Sequence, residues 1–152
     1  MALLSIVLPS YNEEQNIART AQALSGLCVQ EQIEYELVFV SDGSRDGTYQ
    51  EILKAAEADP RVKGVQFSRN FGKEASIFAG LQIAAGDAVI VMDCDLQHPP
   101  ETISRMWELW NQGYEVVEGI KVSRGREGFL HKCFAGAFYK IMSGLIRMDM
   151  NA

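Results

Sequence analysis

Residues 86–100 read GDAVIVMDCDLQHPP, and this stretch decides the fold class. The apolar run 88–92 follows a Gly-Asp turn and leads directly into Asp93 and Asp95. An uninterrupted apolar run of this length is typical of a parallel strand that is covered on both faces. We therefore predict a central parallel strand at 88–92, a polar loop at its carboxyl end, and a helix over about 100–112.

The order of apolar run, polar loop and helical pattern recurs along the chain, as it does in repeated strand–helix units. Apolar runs predict further strands at 3–8, 35–40, 62–67 and 115–120. Helical patterns predict further helices at 13–24, 47–58, 74–85 and 128–147. Gly26 is expected to lie just beyond the end of the first helix. The predicted fold is an α/β fold with a mostly parallel sheet and helices on both faces.

Length, charge and cysteine content narrow the class of protein. The 152 residues are enough for one domain with a hydrophobic core, and the net charge is -6. Residues 1–60 carry 3 basic and 10 acidic side chains, which argues against duplex nucleic acid as a partner. Three widely spaced cysteines predict neither a disulfide framework nor a zinc site, and a reducing, cytosolic setting fits them.

Hydropathy predicts no membrane-spanning segment, because every apolar stretch falls short of the roughly 18 to 20 residues that a bilayer requires. The first residues predict a strand and not a signal peptide. The last residues, MDMNA, carry neither a capping signal nor a following strand, so we expect a truncated chain. We divide it into a core, 1–127, and a segment, 128–152, that begins a further region.

The predicted helix at 128–147 has an apolar side with no evident partner in the sequence. Three roles stay open for this side: packing in a core, lying on a membrane surface, or contacting a second copy of the chain. Basic residues just before and within this region fit either a solvated surface or contact with anionic lipid headgroups or an acceptor phosphate. These residues are Lys121, Arg124, Arg126 and Lys132.

Polar residues follow each of the first four predicted strands. In an open parallel sheet, ligands bind beyond the carboxyl ends of the strands, where the order of connections reverses. The polar loops at 9–13, 41–44, 68–70 and 93–95 are therefore expected to line one crevice. The glycine patterns of dinucleotide-binding enzymes and of phosphate-loop NTPases are both missing from the sequence, which excludes these two classes.

Asp93 and Asp95 are two positions apart, so an extended backbone would point both carboxylates to one side. Two negative charges this close need a compensating cation, and oxygen ligands suit Mg²⁺ or Mn²⁺ better than zinc. We predict a divalent ion held by Asp95, together with Asp93, that bridges to the diphosphate of a nucleotide. The ion would neutralise the charge that develops on this leaving group.

Four segments of the chain, in this order, resemble the GT-A glycosyltransferases of family 2, and among them the polyprenyl-phosphate (dolichol- and undecaprenyl-phosphate) glycosyltransferases. The segments are VLPSYNEEQNI (7–17), FVSDGSRDGT (39–48), SRNFGKEASIFAGLQIAAGD (68–87) and VIVMDCDLQHPPE (89–101). The resemblance extends over residues 3–132 and implies a Rossmann-like GT-A sheet, truncated before the acceptor-side half. It also implies inverting, metal-dependent transfer of a hexose from a nucleotide-diphosphate sugar to a polyprenyl phosphate.

The same resemblance implies roles for single residues. The residues implied to hold the base, the ribose or the nearby nucleotide are Pro9, Tyr11, Glu13, Asp42 and Arg69. The residues implied at the sugar, the metal and the diphosphate are Asp93, Asp95, Gln97 and Lys121. Asp95 would be the principal metal ligand, and Asp93 would face the sugar or the ribose. Lys121 stands where relatives commonly have arginine, so it would contact diphosphate as a single point charge.

The resemblance leaves several points open. The donor sugar would be linked to UDP or GDP. The full-length protein would work at the cytoplasmic face of a membrane. The fragment would be soluble and would bind the donor better than it catalyses the transfer. A homo-oligomer, transfer to a saccharide hydroxyl and a silent nucleotide-binding module remain alternatives. Lys73 fits a phosphate contact or a solvated first turn of a helix, and we leave it outside the core site. His98 is expected at the surface, as a lone loop histidine usually is, and a third metal ligand is the alternative.

Overall fold

The computed structural model describes residues 2–97 and 99–119, which lie in the compact unit Met1–Glu118 apart from Gly119. Strands and helices alternate strictly within these residues. The strands are β1 (Leu3–Ser10), β2 (Glu34–Ser41), β3 (Val62–Gln66) and β4 (Ala88–Val91). The helices are α1 (Glu14–Gln30), α2 (Thr48–Ala58), α3 (Lys73–Ile83) and α4 (Glu101–Asn111). The prediction of repeated strand–helix units is confirmed for these eight elements.

The four strands form one parallel sheet in the order β3-β2-β1-β4. The chain builds outward from β1 to β3 and then crosses back to place β4 on the other side of β1. The order of connections therefore reverses between β1 and β4, and the carboxyl ends of these two strands frame a crevice of the kind in which ligands bind.

Helices cover both faces of the sheet, as predicted. On one face, Leu4, Ile6 and Leu8 of β1 pack in the larger hydrophobic core, to which α1, α2 and α4 contribute. On the other face, Val7 packs with residues of β2 and α3 in a smaller cluster. A Cβ at Gly80 would lie 2.3 Å from Val7 Cγ1, so α3 approaches the sheet closely at this glycine.

The end of α1 differs from the prediction. The helix continues beyond Gly26 to Gln30, because its apolar stripe continues: Cys28 is fully buried on the same face as Leu24. A Cβ at Gly26 would meet no atom within 4 Å, so this glycine lies on an open side of the helix and does not end it.

The prediction that the strand at 88–92 is central and covered on both faces is wrong for the part of the chain that the structure describes. There β4 is the outermost strand and pairs with β1 alone. Ala88 and Ile90 pack against the larger core, whereas Val89 and Val91 are 39% and 42% exposed. Helix α3 packs on β1 and β2 and leaves this side of β4 open.

The prediction of a strand at 115–120 is also wrong for residues 115–119. After α4 the chain turns at Gly113, whose φ is 99°, and residues 115–119 then form no ladder with any described strand. Val116 is 86% exposed, so this apolar residue is not packed as a strand residue of the core would be.

Several predictions lie outside the described residues and stay predictions. These are the helix at 128–147, the division between 127 and 128, and the placement of His98, Lys121, Arg124, Arg126 and Lys132. No helix within the described part of the chain is long and apolar enough to cross a bilayer.

Candidate functional site

A cleft of about 370 Å³ opens at the carboxyl ends of the strands. It lies at the switch point between β1 and β4, as expected for an open parallel sheet. All of the polar loops that follow the four strands contribute to it. The lining residues are Pro9, Ser10, Tyr11, Glu13, Asp42, Asn70, Gly72, Lys73, Ser76, Asp93, Cys94 and Asp95.

Six residues that the sequence singled out are brought together in this cleft: Pro9, Tyr11, Glu13, Asp42, Asp93 and Asp95. Arg69 and Gln97 do not line it, and Lys121 lies outside the described residues. The individual roles of all nine residues stay predictions.

Two loops that form one wall of the cleft are tied together by hydrogen bonds in both directions. Asn12, in the loop after β1, accepts a hydrogen bond from the Arg45 amide (2.9 Å), and the Asn12 amide donates to Ser44 Oγ (3.0 Å). The Glu14 carboxylate accepts from the Gly47 amide at 3.0 Å. This wall is therefore held in position before any ligand arrives.

Asp46 adds to this connection. Its carboxylate accepts hydrogen bonds from the Thr48 hydroxyl and amide and from the Glu14 amide (3.3 Å), and the Glu13 amide in turn donates to Thr48 Oγ1 (2.8 Å). Partial burial alone would raise the pKa of Asp46, but the hydrogen bonds from Thr48 and Glu14 outweigh it and lower the pKa. Asp46 thus braces the loops from outside the cleft.

Asp42 ties the loop after β2 to the segment that precedes α3. Its side chain is 3% exposed, and its two carboxylate oxygens accept from the Phe71 amide (2.7 Å) and the Gly72 amide (2.9 Å). The same loops approach closely at Gly43, where a Cβ would lie 2.2 Å from the Arg69 carbonyl carbon. Asp42 therefore holds the backbone of the cleft, and its contact with a base stays a prediction.

The Arg69 side chain lies beside an aromatic ring and not in the cleft. Its guanidinium carbon is 4.3 Å from the centroid of the Phe71 ring, which also makes an edge-to-face contact with Phe67. A cation over an aromatic face is stabilised by the ring quadrupole. The sequence could not indicate this contact, because it depends on how the segment before α3 folds.

Lys73 is the charged residue that the sequence-based core site left out. It begins α3, lines the cleft, and its Nζ lies 2.5 Å from Asp93 Oδ1. Its place in the first turn of the helix after the third strand was the only signal for it. The cleft is also lined by Asn70, Gly72 and Ser76. No individual role was predicted from the sequence for these three residues.

The loop that carries Asp93 and Asp95 is held by one hydrogen bond from α1 and one within the loop. The carbonyl of Cys94 accepts a hydrogen bond from the Thr20 hydroxyl of α1 at 2.7 Å, and Asp95 Oδ1 accepts from the Gln97 amide at 3.0 Å. Burial raises the pKa of the Cys94 thiol to about 11, so this cysteine is not a thiolate nucleophile. The Gln97 backbone therefore shapes the loop, while its side chain is exposed.

The carboxylate oxygens in the cleft fit a hard divalent cation that is also coordinated by water or phosphate. Asp93 and Asp95 line the same cleft and offer oxygen only, which suits Mg²⁺ or Mn²⁺ and not a structural zinc site. Within residues 2–97 and 99–119, no group of three or more His, Cys, Asp or Glu side chains could enclose a metal. Two carboxylates leave coordination positions for phosphate and water, which Mg²⁺ commonly retains.

A parallel α/β sheet with a carboxylate-lined cleft at its switch point is the arrangement of the GT-A fold, and the comparisons with known proteins agree. The chain matches the model for glycosyl transferase family 2 over residues 5–134 and therefore belongs to this family. The resemblance seen in the four sequence segments is confirmed.

Relatives in the family include proteins of named and unnamed activity. An uncharacterized glycosyltransferase, YkcC, of Bacillus subtilis is 45% identical over 146 residues, which are 96% of this chain and 45% of that protein. The bactoprenol glucosyl transferase of Shigella phage SfV is 41% identical over 138 residues, 91% of this chain and 45% of that protein. The chain thus spans somewhat less than half the length of these relatives.

Solved structures show the same fold. S. aureus TarS 1-349 superposes with a TM-score of 0.59 and 25% identity, over 84% of this chain and 40% of that one. The mannosyltransferase PcManGT from Pyrobaculum calidifontis, solved in complex with GDP-Man and Mn²⁺, has a TM-score of 0.52 and 26% identity, over 60% of this chain and 27% of that one.

Proposed function

We propose that this chain is the donor-binding part of an inverting, metal-dependent glycosyltransferase that moves a hexose from a nucleoside diphosphate sugar to a polyprenyl phosphate. The observation that carries the proposal is the convergence of Asp93 and Asp95 with Tyr11 and Glu13 in one cleft. Family membership supports the class of reaction. The bactoprenol relatives support the acceptor, and the neighbour that holds GDP-Man and Mn²⁺ supports the donor and the cation.

The fixed wall of the cleft is suited to the nucleoside. Tyr11 is 43% exposed at its edge, so its ring can lie against a base or ribose, and the Glu13 carboxylate can accept hydrogen bonds from ribose hydroxyls or base N–H groups. Pro9 also lines the cleft. The interlocked loops keep these groups in place, which supports a nucleoside site on this side of the cleft.

Asp95, with Asp93, would hold Mg²⁺ or Mn²⁺ in the part of the cleft that lies beyond β4. When bound, the ion supplies positive charge to the diphosphate as it leaves. Lys73 is a second positive charge in the same cleft.

The acceptor chemistry explains why no general base is assigned. A phosphate monoester has a second pKa near 6, so its oxygen is already a nucleophile at neutral pH. In the transfer, this oxygen forms a bond to the anomeric carbon while the bond from that carbon to the diphosphate oxygen breaks. The nucleoside diphosphate leaves with the electron pair, and attack from the opposite face inverts the configuration.

We assign the working protein to the cytoplasmic face of a membrane, where a polyprenyl phosphate exposes its headgroup. Lys121 would add a positive charge near the diphosphate. These statements concern a protein that carries this chain together with the remaining length found in its relatives.

Donor binding can be tested by thermal unfolding of the purified chain with UDP or GDP in the presence of Mn²⁺. A ligand at about one hundred times its Kd stabilises the folded state by about 2.7 kcal/mol. For a domain of this size that corresponds to a rise in Tm of roughly 5 to 10 °C. Asp95→Asn should abolish the rise, whereas Glu57→Gln, which removes a carboxylate from an exposed position of α2, should keep it.

The acceptor requires a second experiment on a protein of the relatives' length. Release of nucleoside diphosphate with formation of a lipid-linked hexose is the expected result with polyprenyl phosphate. Transfer to a saccharide hydroxyl instead would overturn the acceptor assignment and leave donor binding intact. Donor binding without turnover on any acceptor would make the chain a silent nucleotide-binding module, and no Tm rise with either nucleotide would remove the site itself.

A further inference from the structure

Lys73 and Asp93 form an ion pair at the point where the proposed cation would bind. The Lys73 ammonium is 2.5 Å from Asp93 Oδ1, and both side chains line the cleft. Lys73 lies in the first turn of α3, where the positive end of the helix dipole disfavours a cation. The contact with Asp93 offsets this disadvantage.

We propose that Lys73 and the divalent cation compete for Asp93, and that the displaced lysine then contacts the diphosphate of the donor. This inference rests on the proposed function, because it takes Asp93 and Asp95 as the metal site. It makes Lys73 a coupling residue: metal entry frees an ammonium for phosphate, and phosphate binding removes a competitor of the metal.

The structure gives Lys73 both the freedom and the anchorage for this exchange. Its side chain is 54% exposed and that of Asp93 is 42% exposed, so neither is confined by packing. A lysine has a flexible four-carbon stem with three donors at its end, which lets the ammonium move between two oxygens. The backbone that carries it is fixed, because Asp42 holds the amides of Phe71 and Gly72 just before α3.

The exposure of the pair sets the size of the effect. An ion pair between half-exposed side chains is weak. Because the metal must first break this pair, its affinity is lower by a factor of about 1.4 to 5 than it would be without the lysine. Coupling between two ligands is reciprocal. Whatever factor the nucleotide adds to metal affinity through Lys73, the metal must add to nucleotide affinity.

The experiment measures Mn²⁺ binding to the purified chain by the electron paramagnetic resonance signal of free Mn²⁺, first without nucleotide. Lys73→Met should bind Mn²⁺ about 1.4- to 5-fold more tightly than the wild type, because the competing ammonium is gone. Lys73→Arg, which retains the charge, should stay close to the wild type. Lys54→Met is the matched control, because Lys54 pairs with Glu51 at 2.6 Å on α2 and does not line the cleft.

The second half of the experiment titrates UDP or GDP at saturating Mn²⁺ and follows binding by calorimetry. Here Lys73→Met should bind the nucleotide at least about threefold more weakly, because a charged hydrogen bond to phosphate is lost. A substitution that raises the affinity for Mn²⁺ and lowers the affinity for the nucleotide is the result expected for this exchange. A lysine that only stabilises the loop would change both affinities in the same direction.

Equal Mn²⁺ affinities for the wild type and Lys73→Met would overturn the inference and leave the proposed function standing, provided that Asp95→Asn abolishes Mn²⁺ binding. An equal increase of Mn²⁺ affinity in Lys54→Met would also overturn the inference, because the increase would then reflect the net charge of the chain alone. A wild type that binds no Mn²⁺ would overturn both the metal site and the exchange. Unchanged thermal unfolding of the free variants confirms that folding does not account for the differences.

Discussion

Substitution of Gly43 by alanine tests whether the cleft depends on the close approach of two loops. Gly43 has a φ of 61°, in the left-handed region that side chains rarely adopt. A Cβ there would lie 2.2 Å from the Arg69 carbonyl carbon and 2.5 Å from the Asn70 amide nitrogen. Both atoms belong to backbone, so the loop after β2 and the segment before α3 would have to separate.

Three contributions set the magnitude. A left-handed alanine costs about 1 to 2 kcal/mol. Separation of the loops also weakens the two hydrogen bonds that Asp42 accepts from the Phe71 and Gly72 amides, each worth about 1 to 1.5 kcal/mol. We expect Gly43→Ala to lower the free energy of unfolding by about 3 to 5 kcal/mol.

Gly26 provides the matched control for the same exchange of residue types. It lies inside α1 with an ordinary helical environment, and a Cβ would meet nothing within 4 Å. Gly26→Ala should therefore raise the free energy of unfolding by about 0.5 to 1 kcal/mol, because alanine loses less backbone entropy in a helix.

Urea unfolding of the wild type and both variants, followed by circular dichroism, measures these changes. The reasoning would be refuted if Gly43→Ala stayed within about 1 kcal/mol of the wild type at an unchanged slope of free energy against urea concentration. A loss of stability in Gly26→Ala equal to that in Gly43→Ala would refute it as well, since the loop contact would then explain nothing.

Two further predictions concern carboxylates away from the cleft. Glu36 is 5% exposed, and its carboxylate accepts hydrogen bonds from the Ser5 hydroxyl and the Ala85 amide, both at 2.6 Å. Glu36→Ala should therefore lower the free energy of unfolding, measured in urea, by about 2 to 4 kcal/mol. A loss below about 1 kcal/mol would contradict this role. The hydrogen bond from Arg61 holds the pKa of Asp59 at about 2, below its ordinary value, so the pair stabilises the fold fully above about pH 4 and less as the pH falls toward 2. Asp59→Asn should therefore lower the free energy of unfolding by about 1 to 2 kcal/mol at about pH 7, a range that allows for the half-exposed Arg61. At about pH 3 the loss should be clearly smaller. A loss that does not change with pH would exclude the Asp59–Arg61 pair as its source.

The sequence predicted the sheet and the position of the cleft because both follow from short-range patterns. Each apolar run is followed by polar residues and then by a helical stripe, and in a parallel sheet all carboxyl ends lie on one edge. That topology alone brings Pro9, Asp42 and Asp93 from three separate parts of the chain into one cleft. The resemblance of four segments added the class of the protein.

Features that depend on packing could not be predicted in this way. The run 88–92 is apolar throughout whether or not a helix covers it, so the sequence did not show that, among the described residues, Val89 and Val91 lie on an uncovered side of β4. The glycine at position 26 suggested a helix end, but α1 runs through it to Gln30 because the buried face continues to Cys28. The pairing of Lys73 with Asp93 depends on how the backbone enters α3, which no local pattern encodes.

The reciprocal ties between the loops after β1 and β2 have a consequence for the kinetics of recognition. A wall that is already ordered loses little conformational entropy when a nucleoside docks on it, so association need not wait for a rearrangement there. Differences among bases should then appear mainly in how long each complex survives. Selectivity on this side of the protein would be read from residence times and not from rates of encounter.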